Sequence, residues 1–170
     1  RKRRQKVRMR EYMDTGDFFL EVKRKSNKGR TKKKRIQIPD LQTYDKSEAG
    51  EFLERESWFK YEDLMPHLEN RFERTTLVNK AGTERLTIDT SLSFHNCVTG
   101  NDKEMNGLVI IELKQDGNYP SYVRPLLREL RIFPTGFSKY CIGSALTNPM
   151  LKKNRFKEKL VMINKLLNNH

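Results

Sequence analysis

Polar and apolar residues alternate along several stretches of this chain. In residues 6–10, 20–25 and 110–114, charged side chains recur at every second position, with mainly apolar side chains between them. Residues 84–94 alternate between polar and apolar side chains in the same way. Side chains two positions apart in a β-strand point to the same face of the sheet. The pattern therefore predicts strands with one polar or charged face and one apolar face.

Turn residues and helical segments divide the rest of the chain. Turns separate the first three predicted strands, which indicates an antiparallel meander with short hairpin connections. Predicted strands lie at 4–12, 18–26, 30–38, 71–79, 84–94 and 108–115, with a polar loop at 96–106. Predicted helices lie at 46–57, 61–72, 122–131, 138–146 and 152–168. These elements predict a mostly β protein of the α+β class.

The strand predicted at residues 84–94 has the clearest alternation. Its polar residues from Arg85 to Ser93 share one face if the alternation is unbroken, and its apolar residues from Leu86 to Phe94 share the other. Under this prediction Asp89 and Phe94 lie on opposite faces.

The excess positive charge lies at the N-terminal end. The chain has 35 Lys and Arg against 22 Asp and Glu, a net charge of +13, and residues 1–35 account for +12 of it. A local excess of this size indicates an anionic partner and carries little information about the fold. Nucleic acid, phosphate chains, nucleotides and acidic membranes are all compatible with it.

Several classes of protein are disfavoured by composition. No apolar run is long enough to span a bilayer, and no signal-peptide pattern is present. Cys97 and Cys141 are far apart and the three histidines form no cluster, which disfavours structural zinc and predicts a cytoplasmic protein. The length predicts a single domain over residues 1–170. Because the chain begins with Arg1 inside a basic stretch, we expect further strands upstream.

The charged strand faces have two physical interpretations. They are either the solvated face of an ordinary antiparallel sheet, or the inner wall of a closed barrel that holds a polyanion. In the second case arginine binds phosphate through its planar fork of donors, and a few carboxylates hold a divalent cation that also coordinates phosphate oxygens.

Five segments in this order, 8–10, 21–25, 85–90, 110–114 and 137–140, resemble the VTC (vacuolar transporter chaperone) domain. This domain is the polyphosphate polymerase branch of the triphosphate tunnel metalloenzyme superfamily, and the resemblance runs from about residue 6 to about residue 143. It implies an antiparallel β-barrel whose tunnel is lined by basic residues, with helices packed outside.

The resemblance also implies roles for individual residues. The residues expected to bind phosphate and to act in catalysis are Arg8, Arg10, Lys23, Arg85 and Lys139. Further residues expected to bind phosphate are Lys6, Lys25 and Arg74. Glu112 is the expected ligand of a Mn²⁺ or Mg²⁺ ion.

The function implied is metal-dependent transfer of the γ-phosphate of a nucleoside triphosphate onto a polyphosphate chain. Alternatives are a triphosphate hydrolase of the same superfamily and a non-catalytic domain that binds polyphosphate. A nucleic-acid binder is disfavoured because no recognised motif is present.

Some of the charged residues also have a purely structural interpretation. Glu21 and Glu112 could form ion pairs with Lys23 and Lys114 across the sheet. Residues 32–35 are interpreted as a solvated basic strand or rim.

Overall fold

The computed structural model describes residues 4–26, 30–40, 46–117 and 119–168. The chain divides into two compact units, Arg1–Met65 and Pro66–His170, called here the first and second units. The single functional domain over residues 1–170 stays a prediction. Among the described residues, no helix is long and apolar enough to cross a membrane.

The first unit contains a three-stranded antiparallel sheet. Its strands are β1 (Arg4–Tyr12), β2 (Asp17–Lys25) and β3 (Thr31–Ile38), with β2 in the centre. Gly16, at a φ of 67°, closes the turn between β1 and β2 and donates its N–H to the carbonyl of Tyr12 at 2.8 Å. All three predicted strands are confirmed within one residue at each end. The turn predicted at residues 27–29 lies outside the described residues.

One face of this sheet forms the core of the first unit. Helix α1 (Lys46–Glu56) contributes buried residues to the same hydrophobic cluster as this face. Leu20 and Val22 of β2 are each 1% exposed and lie in that cluster with Phe52 of α1. Burying side chains of this size contributes about 1.5–3 kcal/mol each. The side chains at alternate positions along the strands are therefore directed to the opposite face.

The second unit contains a four-stranded antiparallel sheet and three helices. The strands are β4 (Glu69–Val78), β5 (Glu84–His95), β6 (Asp102–Met105) and β7 (Ile110–Gln115), and the helices are α2 (Val123–Glu129), α3 (Lys139–Thr147) and α4 (Lys157–Asn168). Strand β5 pairs with β4 along one edge and with β7 and then β6 along the other. Both sheets confirm the antiparallel, mostly β, α+β class. Neither sheet closes into a barrel within the described ranges.

Two predicted elements differ from the structure. The helix predicted at 61–72 is wrong, because this segment holds one 3-10 turn at Tyr61–Asp63 and then enters β4. Pro66 accounts for the difference, since it lacks an N–H and favours an extended conformation in the residue before it. The loop predicted at 96–106 contains the short strand β6.

A β-bulge in β5 changes which side chains face the helices. The register between β4 and β5 shifts after Arg71, and Ser91 has a φ of 51°. Because a bulge adds one residue to a strand, the alternation of faces reverses there. Asp89 and Phe94 consequently face the same helix, α3. The prediction that they lie on opposite faces is wrong. The sequence breaks its alternation at this point, because Thr90 and Ser91 are both polar.

Helix α3 packs closely against β5. A Cβ atom at Gly143 would collide with the ring of Phe94, so only glycine allows this approach. The helix begins after Ser138, whose Oγ accepts a hydrogen bond from the N–H of Cys141 at 3.4 Å. The capped helix start positions Lys139, one turn before Gly143, over Asp89.

Candidate functional site

The face of the first sheet opposite the core carries the expected cations. The register places Arg8 opposite Glu21, and Lys6 opposite Lys23. The charged members of this face, called here the cationic face, are Arg4, Lys6, Arg8, Arg10, Asp17, Glu21, Lys23, Lys25, Lys33 and Arg35. The register confirms that Arg8 and Arg10 share a face, as do Glu21, Lys23 and Lys25, and it places both groups on the same side of the sheet.

Glu21 is a buried carboxylate at the centre of this face. It is 1% exposed, and its Oε2 accepts from Nε of Arg8 at 2.5 Å. The Nζ of Lys33 contacts its other oxygen. Burial raises the pKa of Glu21, but the hydrogen bond from Lys33 and the charge of Arg8 outweigh this effect and hold the pKa below its ordinary value. Glu21 thus forms an ion pair as one interpretation expected, but with Arg8 and Lys33 instead of Lys23.

Two residues of β3 belong to the cationic face although the sequence interpretation placed them on a solvated rim. Lys33 contacts Glu21, and Arg35 lies opposite Glu21 in the register. Lys32 and Lys34 occupy the alternate positions, which point to the other face. The sequence could have predicted this placement. Ile38 is a core residue, and alternation along the strand then directs Lys33 and Arg35 to the face opposite the core.

Aromatic rings lie among the cations at one end of this face. The guanidinium carbon of Arg35 is 4.4 Å from the centroid of the Phe19 ring. The ring of Tyr12 meets that of Phe19 edge-on, with the centroids 5.8 Å apart. Arg10 donates to Oη of Tyr12 at 3.1 Å. Burial raises the pKa of Tyr12, but the hydrogen bond from Arg10 and its charge lower it below the ordinary value.

The second unit repeats the arrangement of a buried carboxylate between an arginine and a lysine. Asp89 is 1% exposed and accepts two hydrogen bonds from Arg74, at 2.6 and 2.7 Å. Lys139 at the start of α3 contacts the same carboxylate. Burial raises the pKa of Asp89, but the hydrogen bonds from Arg74 and Lys139 outweigh it and lower the pKa. Sequence reasoning named Arg74 and Lys139 as site residues but did not name Asp89, although it placed Asp89 on the same face as Arg85.

An aromatic ring supports both cations of this cluster. The Nζ of Lys139 is 4.2 Å from the centroid of the Phe72 ring, and the guanidinium carbon of Arg74 is 5.1 Å from it. Cations over a ring face are attracted by its quadrupole. Lys139 is therefore held by a charge partner and a ring, which fixes its direction.

Arg85 and Glu112 share the sheet face of Asp89. Strand β7 places Glu112 opposite Thr87 and Lys114 opposite Arg85. The Glu112 side chain is 49% exposed, and its Oε1 is 3.3 Å from Nζ of Lys114. The structure thus brings Arg74, Arg85, Glu112 and Lys139 to one side of the sheet in the second unit.

The carboxylates define what kind of metal site the chain offers. Within the residues that the structure describes, no group of three or more His, Cys, Asp or Glu side chains could hold a metal ion. Glu21 and Asp89 already contact cations on both oxygens. Glu112 is accessible, and Mg²⁺ commonly binds through one or two carboxylates together with substrate phosphates. Glu112 offers one accessible carboxylate, whose Oε1 already lies 3.3 Å from Nζ of Lys114.

The sequence was compared with known proteins. The model of the VTC domain family matches residues 1–148. The chain therefore belongs to the VTC domain family, and this membership is consistent with the triphosphate tunnel branch that the motifs indicated. It points to a polyphosphate-related function. No curated protein and no solved structure matches the chain.

Proposed function

We propose that this chain is a polyphosphate polymerase-type domain, which transfers the γ-phosphate of a nucleoside triphosphate onto a polyphosphate chain. The observation that carries the proposal is the cationic face, where Arg8 and Lys33 flank the buried carboxylate of Glu21. Family membership supports the same class of ligand. In the fold of that family the charged strands line the tunnel of an antiparallel barrel, and the tunnel is part of the proposal.

The buried carboxylates hold the neighbouring arginine and lysine side chains in fixed positions, from which they can bind phosphate. An isolated buried carboxylate is costly, so Glu21 and Asp89 each require the cations that surround them. The side chains of Arg8 and Lys33 remain 38% and 42% exposed. A phosphate at this surface can therefore accept charge-assisted hydrogen bonds from arginines and lysines whose positions are already fixed.

Phosphoryl transfer depends mainly on positioning and on electrostatic stabilisation of the transferring group. In the proposal Arg8, Arg10 and Lys23 are the phosphate-binding cations of the first unit, and Arg85 and Lys139 are those of the second unit. Mg²⁺ or Mn²⁺ at Glu112 supplies additional positive charge to the phosphates when bound. No protein nucleophile is required.

Incubation with ATP and Mn²⁺, followed by sizing of the phosphate products, tests the activity. A phosphate polymer is the expected product, and Arg10→Ala should abolish most of it. Lys34→Ala, which removes a cation from the other face of the sheet, should leave the yield unchanged. Release of free phosphate without polymer would support the triphosphate hydrolase instead. Binding of tripolyphosphate without turnover would support the non-catalytic binding domain.

A further inference from the structure

We infer that the aromatic end of the cationic face, formed by Tyr12, Phe19 and Arg35 beside the phosphate-binding Arg10, binds the base of the nucleotide. The inference rests on the proposed function, because it assigns the nucleoside part of the same donor. A site for the base would allow the protein to distinguish a nucleotide from an inorganic phosphate chain, which has no base.

The geometry of these four residues supplies flat surfaces. Arg35 lies over the Phe19 ring at 4.4 Å, and Arg10 lies over the Tyr12 ring at 5.4 Å. The edge-on contact of Tyr12 with Phe19 joins the two pairs into one layer. Arg35 is exposed and Tyr12 is 38% exposed, so planar groups are accessible to a ligand. Guanidinium planes and aromatic rings are the surfaces on which proteins stack nucleobases.

The aromatic end adjoins the part of the face that we assign to phosphate. Arg10 is two residues from Arg8 along β1, a separation of roughly 7 Å in an extended strand. Arg35 lies opposite Glu21, which holds Arg8. A nucleotide with its base on Arg35 therefore reaches Arg8 and Lys33 with its phosphates.

A contribution of the base is measured by comparing ATP with tripolyphosphate, since both carry the triphosphate. Titration calorimetry on the whole chain without metal gives both affinities. Arg35→Lys keeps the charge but loses the planar guanidinium. We expect it to weaken ATP binding about five- to tenfold and to change tripolyphosphate binding less than about twofold. Arg30→Lys, the same substitution just before β3, should change neither affinity.

A second variant tests the ring beneath Arg35 without a change in charge. Phe19→Leu should lower ATP affinity and spare tripolyphosphate affinity, provided that circular dichroism shows an unchanged fold. ATP should also bind the parent more tightly than CTP, because purines offer more stacking area, and Arg35→Lys should reduce this preference.

The outcomes separate this inference from the proposed function. Equal loss of ATP and tripolyphosphate affinity in Arg35→Lys would make Arg35 a phosphate ligand and overturn the base site. Unchanged ATP affinity in Arg35→Lys would overturn it as well. In both cases the parent still binds phosphate, and the proposed function stands. A parent protein that binds neither ligand would overturn the proposed function itself.

Discussion

Arg8 of β1 and Glu21 of β2 lie directly opposite each other, with Nε of Arg8 2.5 Å from Oε2 of Glu21. Arg74 and Asp89 stand in the same relationship on β4 and β5. In each case a lysine from another element completes the cluster. In both sheets, a buried carboxylate is thus neutralised by an arginine on the neighbouring strand and by a lysine. Under the proposed function, the cations that neutralise these buried carboxylates also bind anions, so stability and anion binding depend on the same side chains.

Asp89→Asn should destabilise the second unit. The substitution keeps the shape of the side chain but leaves Arg74 and Lys139 without their buried counter-charge. We expect the free energy of unfolding to fall by about 2–4 kcal/mol. Urea denaturation at neutral pH measures this change.

The matched control is Asp102→Asn. Asp102 also has a side-chain partner, with its Oδ1 2.8 Å from Nδ1 of His95, but its side chain is 73% exposed. Exposed pairs contribute at most about 1 kcal/mol, so the loss should be small. An equal effect of the two substitutions would contradict a special role for the buried cluster.

Acid should weaken the fold through the two buried carboxylates. The pKa values of Glu21 and Asp89 are lowered in the folded chain, whereas carboxyl groups in the unfolded chain titrate near about pH 4. Their stabilisation is therefore present above about pH 4 and is lost as the pH falls through the folded-state pKa values. Urea denaturation at a series of pH values should show the free energy of unfolding decreasing below about pH 5.

Asp89→Asn provides the control for this pH dependence. Because the variant lacks one of the two groups with lowered pKa, its stability should change less steeply with pH than that of the parent. An identical slope in both proteins would assign the acid sensitivity to other groups.

The sequence predicted the first sheet well for a physical reason. Its strands pair without a bulge, so Val22 and Leu20 mark the core face and Arg8 the opposite face. The face of Lys33 can be predicted by counting alternate positions back from Ile38, a core residue of the same strand. This count uses the local sequence alone.

The second sheet was less predictable because its central strand contains a backbone irregularity. The bulge at Ser91 brings Phe94 onto the face of Asp89, and the consecutive polar residues Thr90 and Ser91 were the sign of it in the sequence. The segment after Tyr61 misled for another reason, since its apolar spacing resembles a helix while Pro66 prevents one. The alternation of polar and apolar residues predicts which face a side chain occupies only where the strand has no bulge.

Arg10→Ala should weaken anion binding. In the parent, tripolyphosphate should raise the melting temperature by mass action, because it binds only the folded state. The shift should fall to less than about half in Arg10→Ala, since a phosphate-binding cation is lost. Differential scanning fluorimetry with and without tripolyphosphate measures this shift.

Lys34→Ala is the control for Arg10→Ala, because Lys34 points to the other face of the same sheet. It removes the same unit of charge and should retain the full temperature shift. If both variants lost the shift equally, the binding would reflect net charge and not the cationic face.

Glu112→Gln and Lys23→Ala should separate the metal role from the phosphate role. Glu112→Gln keeps the size and hydrogen bonding of the side chain but loses the charge that attracts a hard cation. Tripolyphosphate affinity without metal should persist or rise, because a repulsive carboxylate is gone, while metal-dependent turnover should fall at least about a hundredfold. Lys23→Ala should weaken tripolyphosphate binding whether or not metal is present. Calorimetry and turnover are measured in parallel on both variants. Normal metal-dependent turnover in Glu112→Gln would return Glu112 to the role of an ion-pair partner for Lys114, 3.3 Å away.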